Sequence, residues 1–92
     1  MVTAIVLLTV AKHLINEIAE AIADINEISE VYTVTGHYDL AVIIRAPDND
    51  TLADVITKQL LKMDGIIQSE SLFAFRVYTR HDLESMFNIG NE

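Results

Sequence analysis

Leu14, Ile15, Ile18, Ile22 and Ile25 recur at spacings of three and four, and Leu52, Val55, Ile56 and Leu60 repeat the pattern later in the chain. Each set is the apolar stripe of an amphipathic helix. The first predicts a helix over roughly residues 11–27. The second is stopped by Met63-Asp64-Gly65, a glycine exit that suits a helix C-terminus. Between and around the stripes lie runs rich in β-branched residues, which read as strands over residues 2–10, 31–35, 40–46 and 66–78. Ala46-Pro47-Asp48 closes the third strand, because proline has no N–H to give to a ladder. Asp48, Asn49 or Asp50 can then cap the second helix. Asp82 to Phe87 reads as a short helical turn within a tail over 81–92, after a main domain over 1–80.

The resulting order is β-α-β-β-α-β. It predicts an α+β, ferredoxin-like fold, a four-stranded antiparallel sheet with both helices on one face. A sheet covered on one face should alternate apolar and polar residues along each strand. Here Val2, Ala4, Val6, Leu8 and Val10 point one way while Ile5 and Leu7 point the other. Leu40 to Ile44 are apolar without a break, and in the last strand both Leu72 and the Phe73, Phe75, Val77 set are apolar. Both faces therefore need burial. One Val, Leu or Ile left wet forgoes about 1.5–3 kcal/mol, so the sheet is expected to cover its open face by self-assembly.

Fourteen acids against six Lys and Arg give a formal charge of −8, and the cations (Lys12, Arg45, Lys58, Lys62, Arg76 and Arg80) are scattered among acids. Phosphate backbones are bound by clustered cations, so no direct nucleic-acid partner is expected. No apolar run approaches the length needed to span a bilayer, no basic region precedes the first strand, and cysteine is absent. The expectation is a cytoplasmic domain with no membrane partner, no disulfide and no thiolate metal site.

Few residues invite chemistry. Glu17, Glu20, Asp24 and Glu27 share one side of the first helix, as a solvated face would, and no metal is expected there. His13, His37 and His81 lack metal-like spacing. His37 could be oriented by Asp39 as an acid–base pair, but residues two apart at a turn seldom reach that geometry, and no nucleophile motif accompanies them. The stretch Thr35-Gly36-His37-Tyr38-Asp39 between strands two and three is richer. Gly36 permits a positive φ and close approach of backbone to a ligand. Asp39 is an anion fit for an ammonium, while Ser69 and Ser71, two apart on the last strand, place hydroxyls on one face. Together they describe a receptor for an amino-acid zwitterion; a plain polar hairpin has the same composition.

From residue 2 to about 80 the chain resembles the ligand-binding domain of the Lrp/AsnC family of feast/famine regulators. The resemblance rests on the element order, the apolar first strand, Thr35-Gly36-His37-Tyr38-Asp39-Leu40 after strand two, and Asp64-Gly65-Ile66-Ile67-Gln68-Ser69-Glu70-Ser71. It implies dimers formed through the sheet, dimers assembled into rings, and a small amino acid or related metabolite bound beside the loop. Carried over by position, it implies Gly36, Tyr38 and Asp39, with Thr35 and His37 adjacent, and Ser69 and Ser71 where threonines are usual. The chain is similar to stand-alone members without a helix-turn-helix domain, which implies a sensor that acts alone or co-assembles with full-length homologues. No cofactor and no catalytic residue is implied. Two rival readings stand beside it: a small dimeric ferredoxin-like enzyme of monooxygenase or isomerase type using His37 and Asp39, and a purely structural assembly module. The Leu, Ile and Val helix stripes favour a filled core over an enzyme pocket between helices and sheet.

Overall fold

The computed structural model describes residues 1–80. Its elements are β1 (Val2–Val10), α1 (Ile15–Ala23), β2 (Ile28–Thr33), β3 (Leu40–Ala46), α2 (Asn49–Asp54) and β4 (Ile66–Ala74). The strands form one antiparallel sheet in the order β2-β3-β1-β4. The ferredoxin-like α+β arrangement expected from the pattern is the one found. The turn expected over Asp82–Phe87, and His81, lie outside the described residues.

Register explains the core. Ala4, Val6 and Leu8 pair with Ile44, Val42 and Leu40, so these side chains share one face. That face meets Ile18 and Ile22 of α1, and Leu52, Val55, Ile56 and Leu60 of the second helical segment. Among the described residues no polar or charged side chain is buried there. The filling is aliphatic throughout. Among the described residues, the space between helices and sheet is thus packed with aliphatic side chains, as the helix stripes predict.

The elements differ from expectation in three informative places. A 3-10 turn over Lys12–Leu14 precedes α1, and Ile25 sits beyond the helix in a turn bonded back to Ile22. The stripe outlasts the helix because a tight turn keeps Ile25 against the core. β2 starts earlier, at Ile28, because a bulge between Ile28 and Glu30 puts Ile28 and Val31, three apart, on the same face. Simple alternation hides that start. β4 ends at Ala74, which pairs with Thr3, so beyond it β1 offers almost no chain to pair with. Asp48 caps α2 as expected, its Oδ1 accepting from Thr51 N–H at 2.7 Å, and this bond holds its carboxyl below the usual range. The helix continues over Val55–Leu60 as a wider π-type turn, with Leu61 N–H reaching back five residues to the Ile56 carbonyl.

The other face of the sheet is uncovered. Register places Thr3, Ile5, Leu7 and Thr9 of β1 there with Ala41, Ile43 and Arg45 of β3, Glu30 and Tyr32 of β2, and Gln68, Glu70, Leu72 and Ala74 of β4. Ile5, Leu7 and Ile43 are half-buried, and Leu72 and Tyr32 are 44% and 49% exposed. This is the open apolar face that the missing alternation foretold.

Candidate functional site

The loop between β2 and β3 folds over the end of the sheet. Val34 N–H donates to the Asp39 carbonyl at 2.9 Å, which closes the loop. Asp39 N–H donates to the Leu8 carbonyl at 2.7 Å, so the loop docks on β1. The Thr9 hydroxyl donates to the His37 carbonyl at 3.2 Å. Gly36 takes φ +114°, with open space where a Cβ would project, so conformation and not crowding calls for glycine. Thr35, Gly36 and His37 are exposed at the tip, while Tyr38 and Asp39 are half-buried at the base.

Asp39 is already engaged. Its Oδ2 accepts from Val10 N–H at 3.0 Å, which ties the loop to the end of β1. Among the described residues nothing bonds its other oxygen. His37 contributes its carbonyl to the loop, and no hydrogen bond joins its ring to Asp39. The geometry gives the acid–base pair no support.

Tyr38 reaches across β1 to the far edge strand, where its hydroxyl donates to Glu70 Oε2 at 2.7 Å. That bond, with partial desolvation and the nearby negative charge, raises the phenol pKa above its ordinary value. Tyr32 donates likewise to Glu30 on the same open face, and its pKa is raised chiefly by that bond. Glu70 was not singled out from the sequence. The signal lay in Gln68-Ser69-Glu70-Ser71, where alternation puts the acid on the opposite face from the hydroxyls.

Ser69 and Ser71 pair with Leu8 and Val6, so their hydroxyls lie on the helix side of the sheet, at its edge. The loop and β4 flank β1 on opposite sides, two strand spacings or about 10 Å apart. One chain thus brings together Tyr38, Asp39 and the end of β1, but leaves the two serines on another surface. A separate groove of about 790 Å³ lies at the opposite end of the open face, lined by Ile5, Tyr32, Ile43, Arg45, Phe75 and Arg76 among others. None of the candidate ligand-binding residues, Thr35 to Asp39, Ser69 and Ser71, lines it.

The element order, the loop position and the open sheet face can be set against known proteins. Residues 3–83 match the model of the Lrp/AsnC ligand binding domain. The chain belongs to that family. An uncharacterized HTH-type transcriptional regulator of Bacillus subtilis, YugG, is 30% identical over 77 residues, which is 84% of this chain and 45% of the regulator. This Lrp/AsnC domain thus spans less than half the length of that relative. The structure of TTHA0845 from Thermus thermophilus superposes with a TM-score of 0.81 at 41% identity, covering 87% of this chain and all of that one. The transcriptional regulator NMB0573 of Neisseria meningitidis, in complex with L-Met, superposes with a TM-score of 0.76 over 86% of this chain and 53% of its own. At 17% identity that likeness is one of fold. Among the described residues of the Lrp/AsnC domain, no helix is long and apolar enough to cross a membrane, and no three His, Cys, Asp or Glu cluster as metal ligands would.

Proposed function

We propose that this Lrp/AsnC domain is a regulatory sensor that binds a small amino acid or related metabolite and assembles through the open face of its sheet. The observation that carries the reading is the loop: Gly36, Tyr38 and Asp39 are the positions that the resemblance implies, and the exposed tip is braced from below by β1. In this reading the unbonded oxygen of Asp39 takes the effector's ammonium, in a charge-assisted hydrogen bond. Backbone N–H groups at Gly36 and the hydroxyls of Ser69 and Ser71 take its carboxylate. Because the serines lie on a different surface from their own loop, they serve the loop of a neighbouring copy, and the site forms between copies in a ring of dimers. The neighbour solved with L-Met has the same fold and is consistent with this class of effector.

Ile5, Leu7, Ile43 and Leu72 supply the apolar surface for the dimer. A domain of net charge −8 has little attraction for phosphates, so in this reading it acts as a sensor by itself or through co-assembly with full-length homologues. The test is a thermal-shift screen of the twenty amino acids, followed by calorimetry on the hits. An effector at 100 times its Kd adds about 2.7 kcal/mol of stability. Native mass spectrometry with and without the hit reports the assembly. If no amino acid shifts the transition and the mass is that of a monomer throughout, the reading fails.

A further inference from the structure

Glu70 stands on the open face beside Leu7 in register, in one cross-strand row with Ala41 and Tyr32. Along β4 the next residue on that face is Leu72. An acid there is at odds with a surface that seeks cover. Covering it strips water from a carboxylate, which is costly unless a donor replaces the water. Among the described residues one donor is present, the hydroxyl of Tyr38, 2.7 Å from Oε2. That donor comes from the effector loop.

We infer that Glu70 is the positioning residue of the loop, and that the Tyr38–Glu70 hydrogen bond couples the loop's conformation to self-association on the open face. The inference rests on the assembly and effector readings above. With the bond made, the face presents a carboxylate already partnered, and Tyr38 is held flat across β1. With the bond broken, the same face presents a bare charge. Self-association therefore favours the loop conformation in which Tyr38 points to Glu70. By linkage, whatever holds the loop in that conformation favours association to the same degree. Glu30 and Tyr32 repeat the pairing on the opposite edge strand, but both belong to β2 and report no loop movement. The difference is that Tyr38 links two parts of the chain 32 residues apart.

The experiment is a double-mutant cycle on the association constant, measured by sedimentation equilibrium on the full chain. Both side chains sit at the surface, and far-UV circular dichroism checks that each variant keeps the fold. Tyr38→Phe leaves Glu70 without its donor and is expected to weaken association about tenfold or more. Glu70→Gln removes the charge that needed the donor and is expected to associate at least as tightly as wild type. In the Glu70→Gln background, adding Tyr38→Phe is expected to change association by about twofold or less. Equal weakening by Tyr38→Phe in both backgrounds, or no weakening in either, overturns the coupling. A monomeric wild type overturns it together with the assembly reading. The two failures are distinct, because only an associating wild type can show Tyr38→Phe to be silent.

Discussion

Adjacent residues Val42 and Ile43 separate folding from assembly, because register sends their side chains to opposite faces of β3. Val42 is fully buried and pairs with Val6 and Val31 on the helix side. Ile43 is half-buried on the open side, between Ile5 and Glu30. A glutamate at position 42 loses the valine's burial, about 1.5–3 kcal/mol. It also strands a carboxylate where the core offers no polar partner, at a further several kcal/mol. At about 0.05–0.15 kcal/mol per residue, a chain of 92 residues has roughly 5–14 kcal/mol of stability. Val42→Glu therefore abolishes or nearly abolishes folding, read as loss of the far-UV signal and insoluble expression. Ile43→Glu costs the isolated fold little, since the side chain points to water. Because Ile43 is already half-buried, each copy loses about half of that burial; counted twice in a twofold dimer the loss is roughly 1.5–3 kcal/mol, or about tenfold to a hundredfold in the dissociation constant, before any repulsion between the two carboxylates. Sedimentation should then report a folded monomer at micromolar concentration. A folded, soluble Val42→Glu would refute the assignment of faces. An Ile43→Glu variant that keeps the wild-type assembled mass would place the interface elsewhere.

Asp39→Asn keeps an oxygen for Val10 N–H, so the loop and the assembled mass should persist; effector affinity should fall about 30-fold to several thousand-fold, and calorimetry showing unchanged affinity would reduce Asp39 to a loop brace. Gly65→Ala should destabilise the fold by roughly 2–5 kcal/mol, because Gly65 has φ +99° and a Cβ there would lie 2.8 Å from Ile18 Cδ1 and 2.9 Å from Leu14 Cδ1; an unchanged melting temperature would contradict the packing of α1 on that turn. Tyr38 keeps its proton to higher pH than a free tyrosine, whose pKa is 10.0, so the Tyr38–Glu70 bond contributes its full stability below that pH and loses it as pH rises through the raised value. Tyrosinate absorbance should show one phenol of wild type ionising at lower pH in Glu70→Gln, and identical titration curves would mean that the bond is not made in solution.

Much of this protein is determined locally. The three-and-four spacing of Ile18 and Ile22, and of Leu52, Val55, Ile56 and Leu60, specifies helices with one apolar face, and the unbroken Leu40 to Ile44 run specifies a strand that is apolar on both sides. Such patterns are legible because they reflect short-range geometry, 3.6 residues per turn or two per pleat. The loop motif was legible too, since Gly36 and Asp39 act through their own backbone and side-chain chemistry. Other features depend on register, which relates residues far apart in the chain. The strand order β2-β3-β1-β4 set Glu70 opposite Leu7, within reach of Tyr38, and turned Ser69 and Ser71 away from the loop beside which the sequence had grouped them. The bulge at Ser29 moved the start of β2, and the end of β1 decided where β4 stops. Which of Val42 and Ile43 faces the helices has the same origin: a strand that is apolar on both sides carries no mark of its inner face until the helices pack against one of them.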